Sequence, residues 1–204
     1  IDRLSINAER GSDLVTIGDL SATGVELLAV DLNAADESGA SADNDRVVFT
    51  GTAGADTLTV EGVVAGFDRT DLGADPTGGV STEITKPVVQ VHDQSPGRDT
   101  RYFIINSTAG KDALLVQGLG GDDTLTLASG SAGIDVCELV DLTLAGGEGD
   151  DRLTSVYDSV RLDGGEGHDT LRITSDAKPV DDLTTLQLFA GDLMISRTEA
   201  GLGP

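Results

Sequence analysis

Gly146-Gly147-Glu148-Gly149-Asp150-Asp151-Arg152-Leu153-Thr154 returns as Gly164-Gly165-Glu166-Gly167-His168-Asp169-Thr170-Leu171-Arg172, both copies of Gly-Gly-x-Gly-x-Asp-x-Leu-x. The step from Asp151 to Asp169 is the length of two nonapeptides. Glycine permits positive φ and close backbone approach, so each segment turns tightly and aims its carbonyls inward. The Asp adds a hard anionic oxygen, and together these are the donors of a calcium turn. The Asp-x-Leu-x that follows has the period of a short strand whose Leu faces a core.

Working outward, a looser motif recurs, roughly Asp-x-Leu-x-Val-x-Gly-x-x-Gly-x-Asp. It spans Asp2 to Asp13, Asp45 to Asp56, Asp112 to Asp123 and Asp158 to Asp169, with the alternating residues apolar in each copy. A longer period lies above it. Residues 2–32 align without gaps on residues 112–142, with identities that include Leu4/Leu114, Gly11/Gly121, Asp13/Asp123, Thr16/Thr126 and Leu32/Leu142. This offset predicts one backbone for both segments. Short strands joined by glycine turns, with no helical periodicity, predict an all-β chain wound as a right-handed parallel β-roll or β-helix solenoid. A β-sandwich is the other architecture that short strands and turns suit.

The chain divides into a first repeat unit over 1–60, an irregular insertion over 61–100 and a second unit over 101–174. The tail, 175–204, reads as a terminal hairpin or the start of a next unit. The insertion carries three prolines and one short strand, Lys86–His92.

Composition narrows the function. The 204 residues include 27 glycines and only 3% aromatics, which fits a solenoid better than a conventional enzyme core. Against 36 Asp plus Glu stand 13 Lys plus Arg, a formal charge of −23 that excludes nucleic acid and anionic membranes as partners. Bound divalent cations would relieve it. The 38% of hydrophobic residues at alternating positions argue against a disordered chain. No apolar run is long enough to span a bilayer. The opening Ile1, at the start of a strand-like stretch, suggests a piece of something longer.

One cysteine and two histidines leave little for a disulfide framework, a zinc site or a triad. Cys137 aligns with Leu27 and is expected in the core; His168 fills the free place of its turn and is expected at the surface. The pairs Asp122/Asp123 and Asp150/Asp151 recur from turn to turn, which suits a scaffold better than an active site. The chain is therefore expected to be non-catalytic.

The Gly-Gly-x-Gly-x-Asp turns resemble the nonapeptides of RTX (hemolysin-type) repeat proteins, strongly over 118–172 and partly over 2–60 and 101–117. The resemblance implies Ca2+ between stacked turns, held by Asp151 and Asp169 and by the loops that contain Gly146, Glu148, Gly149, Gly164, Gly165 and Gly167. Asp123, in Gly118-Leu119-Gly120-Gly121-Asp122-Asp123, and Asp56, in Gly51-Thr52-Ala53-Gly54-Ala55-Asp56, are further candidate ligands. Asp13, Asp45 and Asp112 lie in eroded turns and are expected to be structural. The same resemblance implies a secreted, extracellular or cell-surface location. It makes the chain a calcium-binding structural segment of a large bacterial adhesin, surface-layer or fibre protein, associating head to tail or with further repeats. The alternative is an accessory module of a secreted protease, lipase or polysaccharide-modifying enzyme.

Overall fold

The computed structural model describes residues 3–8, 11–32, 43–67, 84–157 and 159–174. Among them are thirteen strands: β1 (Arg3–Asn7), β2 (Leu14–Ile17), β3 (Leu27–Asp31), β4 (Arg46–Thr50), β5 (Thr57–Phe67), β6 (Ile84–Asp93), β7 (Thr100–Ile105), β8 (Ala113–Gly120), β9 (Thr124–Leu127), β10 (Asp141–Glu148), β11 (Arg152–Ser155), β12 (Arg161–Glu166) and β13 (Thr170–Ile173). Two single 3-10 turns, Ser131–Gly133 and Val136–Glu138, are the described helical structure. The chain is all-β.

The strands form two sheets, in the orders β1-β3-β7-β6-β5-β9-β11-β13 and β12-β10-β8-β4-β2. From β8 onward the chain alternates between them, and every neighbouring pair among β8, β10 and β12, and among β9, β11 and β13, is parallel. Parallel neighbours need a crossover. Here the intervening strand of the opposite sheet supplies it.

The two-residue period decides which side chains meet. Leu114 and Val116, Leu125 and Leu127, Leu142 and Leu144 all point inward and are buried, while the residues between them are partly exposed. Register then stacks like on like. Phe49, Val116, Leu144 and Leu162 make one row in the smaller sheet, and Leu58, Leu125, Leu153 and Leu171 make one in the larger. Each fully buried Leu contributes about 1.5–3 kcal/mol.

Register also explains the spacings. Arg152 pairs with Thr170, the same step as from Asp151 to Asp169, whereas Thr124 pairs with Arg152, the longer step from Asp123 to Asp151. The ten additional residues are taken up between β9 and β10, where the two 3-10 turns lie.

The long duplication holds for its first half only. β1 and β2 fall on β8 and β9 at the offset that aligns residues 2–32 with 112–142, but Leu27–Asp31 falls on residues 137–141, where a 3-10 turn stands and β10 only begins. The step from Arg3 to its partner Leu27 is four residues shorter than the step from Ala113 to its partner Asp141. That difference shifts the phase. The two copies also lie in opposite sheets, β1 and β3 in the larger and β8 and β10 in the smaller.

The stretch 61–100 is more regular than its prolines suggest. β5 runs on to Phe67, and the ten-residue β6 pairs antiparallel with both β5 and β7. β7 in turn lies parallel to β3. The insertion is thus built into the larger sheet, between β3 and β5. Val89 and Val91 face the main core, and Tyr102 meets the Phe49 ring edge-on with centroids 4.6 Å apart. Val88, Phe103 and Ile105 form a small second cluster with Ala29. Cys137 is half-buried and packs against the main core. The hairpin expected over 175–204 lies outside the described residues.

Candidate metal centre

Each Gly-rich turn follows the last inward position of a strand in the smaller sheet and leads to an Asp just before a strand of the larger one. Register brings these Asp residues together in one row. The Asp56 N–H donates to Asp123 Oδ1 at 2.7 Å, the Asp123 N–H to Asp151 Oδ1 at 2.8 Å, and the Asp151 N–H to Asp169 Oδ1 at 3.0 Å. All four are buried.

Glycine makes room for the second carboxylate oxygen. A methyl group on Gly118 would collide with Asp123 Oδ2 and stand 2.6 Å from the Gly146 carbonyl oxygen. One on Gly146 would collide with Asp151 Oδ2 and stand 2.5 Å from the Gly164 carbonyl oxygen. A carboxylate oxygen of one turn and a carbonyl oxygen of the next thus converge on one small volume, and they do so again at Gly51, with Asp56 Oδ2 and the Gly118 carbonyl oxygen. Gly147, Gly149, Gly165 and Gly167 have φ between 101° and 136°, a region that side chains rarely adopt. Leu119, the counterpart of Gly147, has φ 84°.

Asp123 Oδ2 and Asp151 Oδ2 are buried and have no hydrogen-bond partner. An unpaired buried carboxylate oxygen is costly, so it must be protonated or matched by a cation. Burial pushes the Asp123 carboxyl up to about 7 against the opposing Asp56 N–H, with the charges of Asp151 and Asp56 adding to the rise. Asp151 is raised by burial too, opposed by the Asp123 N–H and reinforced by the Asp169 charge.

Among the described residues, no three His, Cys, Asp or Glu side chains converge on one point. A cation here would therefore take much of its coordination from carbonyls, and calcium accepts carbonyl and carboxylate oxygens alike. The donors fit that ion: Asp123, Asp151 and Asp169 supply carboxylates, and Gly146 and Gly164 supply carbonyls. Glu148 does not turn its side chain inward. That side chain is exposed, and its carbonyl accepts the Gly121 N–H at 2.8 Å.

Asp56 heads the row but differs from the rest. Its Oδ2 accepts the Thr52 N–H at 2.5 Å, and its Oδ1 faces Arg98 Nη2 at 2.6 Å. Arg98 carried no signal in the sequence, because Asp56 and Asp19 are remote from it along the chain and only Asp93 is near.

A second row runs along another set of turns. The Asp13 N–H donates to Asp45 Oδ1 at 2.8 Å, and the Asp45 N–H to Asp112 Oδ1 at 2.9 Å. Asp112 Oδ2 is satisfied by the Thr108 N–H, whereas Asp45 Oδ2 is buried without a partner and burial raises its carboxyl. The regular Asp spacing of the looser motif was its sequence signal, since Asp45 and Asp112 lie in one row and Asp56 and Asp123 in the other. An outer, exposed row flanks the first: the Asp150 N–H donates to Asp122 Oδ1, and the His168 N–H to Asp150 Oδ1. The His168 ring is exposed, and His92 pairs with Asp99 at 2.6 Å.

Comparison of the chain with protein-family models, with curated proteins and with solved structures finds no match.

Proposed function

We propose that this chain is a non-catalytic, calcium-binding structural repeat segment of a large secreted bacterial protein of the surface, adhesin or extracellular-fibre kind. Its architecture on this reading is a right-handed parallel β-roll. The parallel pairing of strands that alternate between two sheets supports the roll over a β-sandwich, whose sheets are antiparallel. One observation carries the calcium reading. Asp123 Oδ2 and Asp151 Oδ2 are buried, lack any donor, and each converges with a glycine carbonyl of the following turn.

Calcium between the turns supplies the positive charge that these oxygens lack and converts stacked repulsion into cross-links between successive turns. Extracellular fluids hold calcium at the millimolar level that such sites need, so the ion acts as a folding signal outside the cell. Both sheets end at strands with exposed apolar side chains, Leu4 on β1 and Leu14 on β2, which supports continuation by further repeats or by another copy.

Calorimetric titration of the chelator-treated chain with calcium tests the reading. It expects saturable binding of at least two ions per chain, with a rise in melting temperature. A chain that binds no calcium, or one whose melting is the same in calcium and in chelator, overturns it.

A further inference from the structure

Arg98 lies in the turn between β6 and β7, where its N–H donates to the Ser95 carbonyl and Gly97 takes φ 78°. Its guanidinium is largely buried and meets three carboxylates, from the β2–β3 connection, the β4–β5 connection and the end of β6. Nη2 stands 2.6 Å from Asp56 Oδ1, and Nη1 stands 3.0 Å from Asp93 Oδ2 and 3.7 Å from Asp19 Oδ1. Asp56 and Asp93 are almost wholly buried, so the charge of Arg98 is the match for theirs.

The turn that brings Arg98 in occupies the place of a preceding coil. Along the regular row, the residue after each Asp donates its N–H to the carbonyl of the Asp before it: Thr124 to Asp56, Arg152 to Asp123, Thr170 to Asp151. Thr57, after Asp56, instead donates to Ser95 Oγ at 3.0 Å, and its carbonyl accepts the Gln94 N–H at 2.9 Å. Asp56 therefore has a turn of the row on one side and the β6–β7 turn on the other.

Its carboxylate is also saturated. Thr52 gives Asp56 Oδ2 its N–H and, at 3.2 Å, its hydroxyl, and Arg98 takes Oδ1. Asp123 and Asp151, one and two steps along the same row, each leave Oδ2 bare.

We propose that Arg98 is a tethered cation that takes, at Asp56 Oδ1, the place that a preceding turn's N–H holds along the rest of the row, closes the metal-binding row at that end, and holds the inserted β6–β7 pair in the sheet without calcium. This rests on the calcium reading of the row. Ion occupancy then begins at Asp123, and the sheet around the insertion stays assembled at calcium concentrations too low to load the turns. A fixed guanidinium suits the task, since it is always charged and its planar fork serves two carboxylates at once.

The experiment is a calcium titration by calorimetry of the chain and four variants, with melts in chelator and in about 10 mM calcium, well above the dissociation constants expected of extracellular sites. Asp56→Asn should leave the ion count of the parent unchanged, while Asp123→Asn should lower it by at least one. Arg98→Gln should melt at least about 5 °C lower in chelator, because two buried carboxylates lose their partner. Calcium should leave most of that loss in place and the ion count at the parental value, because the Thr52 N–H still holds Asp56 Oδ2. Arg98→Lys, which keeps the charge, should keep the parental count. A lower ion count in Asp56→Asn overturns the proposal, as does an Arg98→Gln chain that melts with the parent in chelator or binds one more ion than the parent. If Arg98→Gln does not fold, the Asp56→Asn and Arg98→Lys counts decide alone. A parent chain that binds no calcium removes the underlying reading and this proposal with it, whereas a calcium-binding parent with the wrong variant counts removes only this one.

Discussion

The main-chain N–H of Asp123 donates to Asp151 Oδ1 at 2.8 Å, between turns that are remote along the chain. Asp123, Asp151 and Asp169 thus each give one oxygen to the backbone of the preceding turn, which fixes the rotamer and aims the other oxygen at the first glycine of the same turn. On the proposed calcium reading, that hydrogen bond positions a ligand.

Removing the charge of one such ligand should weaken the calcium response. Asp169→Asn keeps size and turn propensity, and Asp163→Asn, on β12 outside the row, is its control. With dissociation constants of ~0.1–1 mM, each site adds on the order of 1.4–2.7 kcal/mol at about 10 mM calcium. Melts with calcium and with chelator should show Asp169→Asn losing up to about that amount of the calcium-dependent gain and Asp163→Asn losing little. Equal losses would sink the ligand assignment.

Without calcium, stability should fall as pH rises. The Asp123 carboxyl is raised in the fold to about 7, from an ordinary value of ~3.9, and those of Asp45 and Asp151 are raised as well. The folded chain therefore holds protons that the unfolded chain has released. The Asp123 contribution is fully present below the ordinary carboxylate range and is lost as pH climbs through about 7, and those of Asp45 and Asp151 are lost in the same direction. Denaturant midpoints in chelator at pH 5 and pH 8 should be higher at pH 5, and calcium should narrow the gap. A midpoint higher at pH 8 in chelator contradicts the buried, unpaired row.

Leu119 carries a conformational cost that glycine would avoid. Its φ is 84°, where the counterparts Gly147 and Gly165 have 125° and 101°, and its side chain is 45% exposed, so little burial offsets the strain. The αL-like conformation costs a non-glycine residue about 1–2 kcal/mol, against about 0.5–1 kcal/mol of extra chain entropy for glycine. Leu119→Gly should raise stability by roughly 0.5 kcal/mol, the difference between those two costs. Gly147→Ala, whose new methyl meets the Leu119 carbonyl oxygen, should lower it by about 2 kcal/mol or more. Chemical denaturation of both checks the pair.

Leu144 is fully buried in the row between Val116 and Leu162. Leu144→Ala should cost about 2–5 kcal/mol, since stacked neighbours held by strand register cannot collapse into the space. Leu14→Ala, at a 67% exposed position on β2, should cost less than about 0.5 kcal/mol. Similar costs at both sites would mean that Leu14 is covered in solution, which is itself readable as association in light scattering.

Alternation and turn chemistry are local, so the chain displays them openly. Leu114, Leu142 and Leu153 are recognisable as core from their period alone, and the two-nonapeptide step between Asp151 and Asp169 announces neighbouring strands because nothing but two short strands and two turns lies between them. The partnership of Asp123 with Asp151, across a connection with ten added residues, and of Asp56 with Asp123, across the whole insertion, depends on strand pairing that no local pattern encodes. The phase shift after β2 and β9 escapes a sequence alignment for the same reason, since four residues in a connection change which sheet positions follow without disturbing the identities before them. The integration of β6 and β7 into the larger sheet was hidden by the prolines and turn residues of the stretch 61–100, and was decided by the burial of Val89, Val91 and Tyr102 against the main core. Arg98 shows the limit most plainly: one basic residue in a turn, among 13 in the chain, acquires its role only when folding brings Asp19, Asp56 and Asp93 around it, because a buried charge is defined by its neighbours in space.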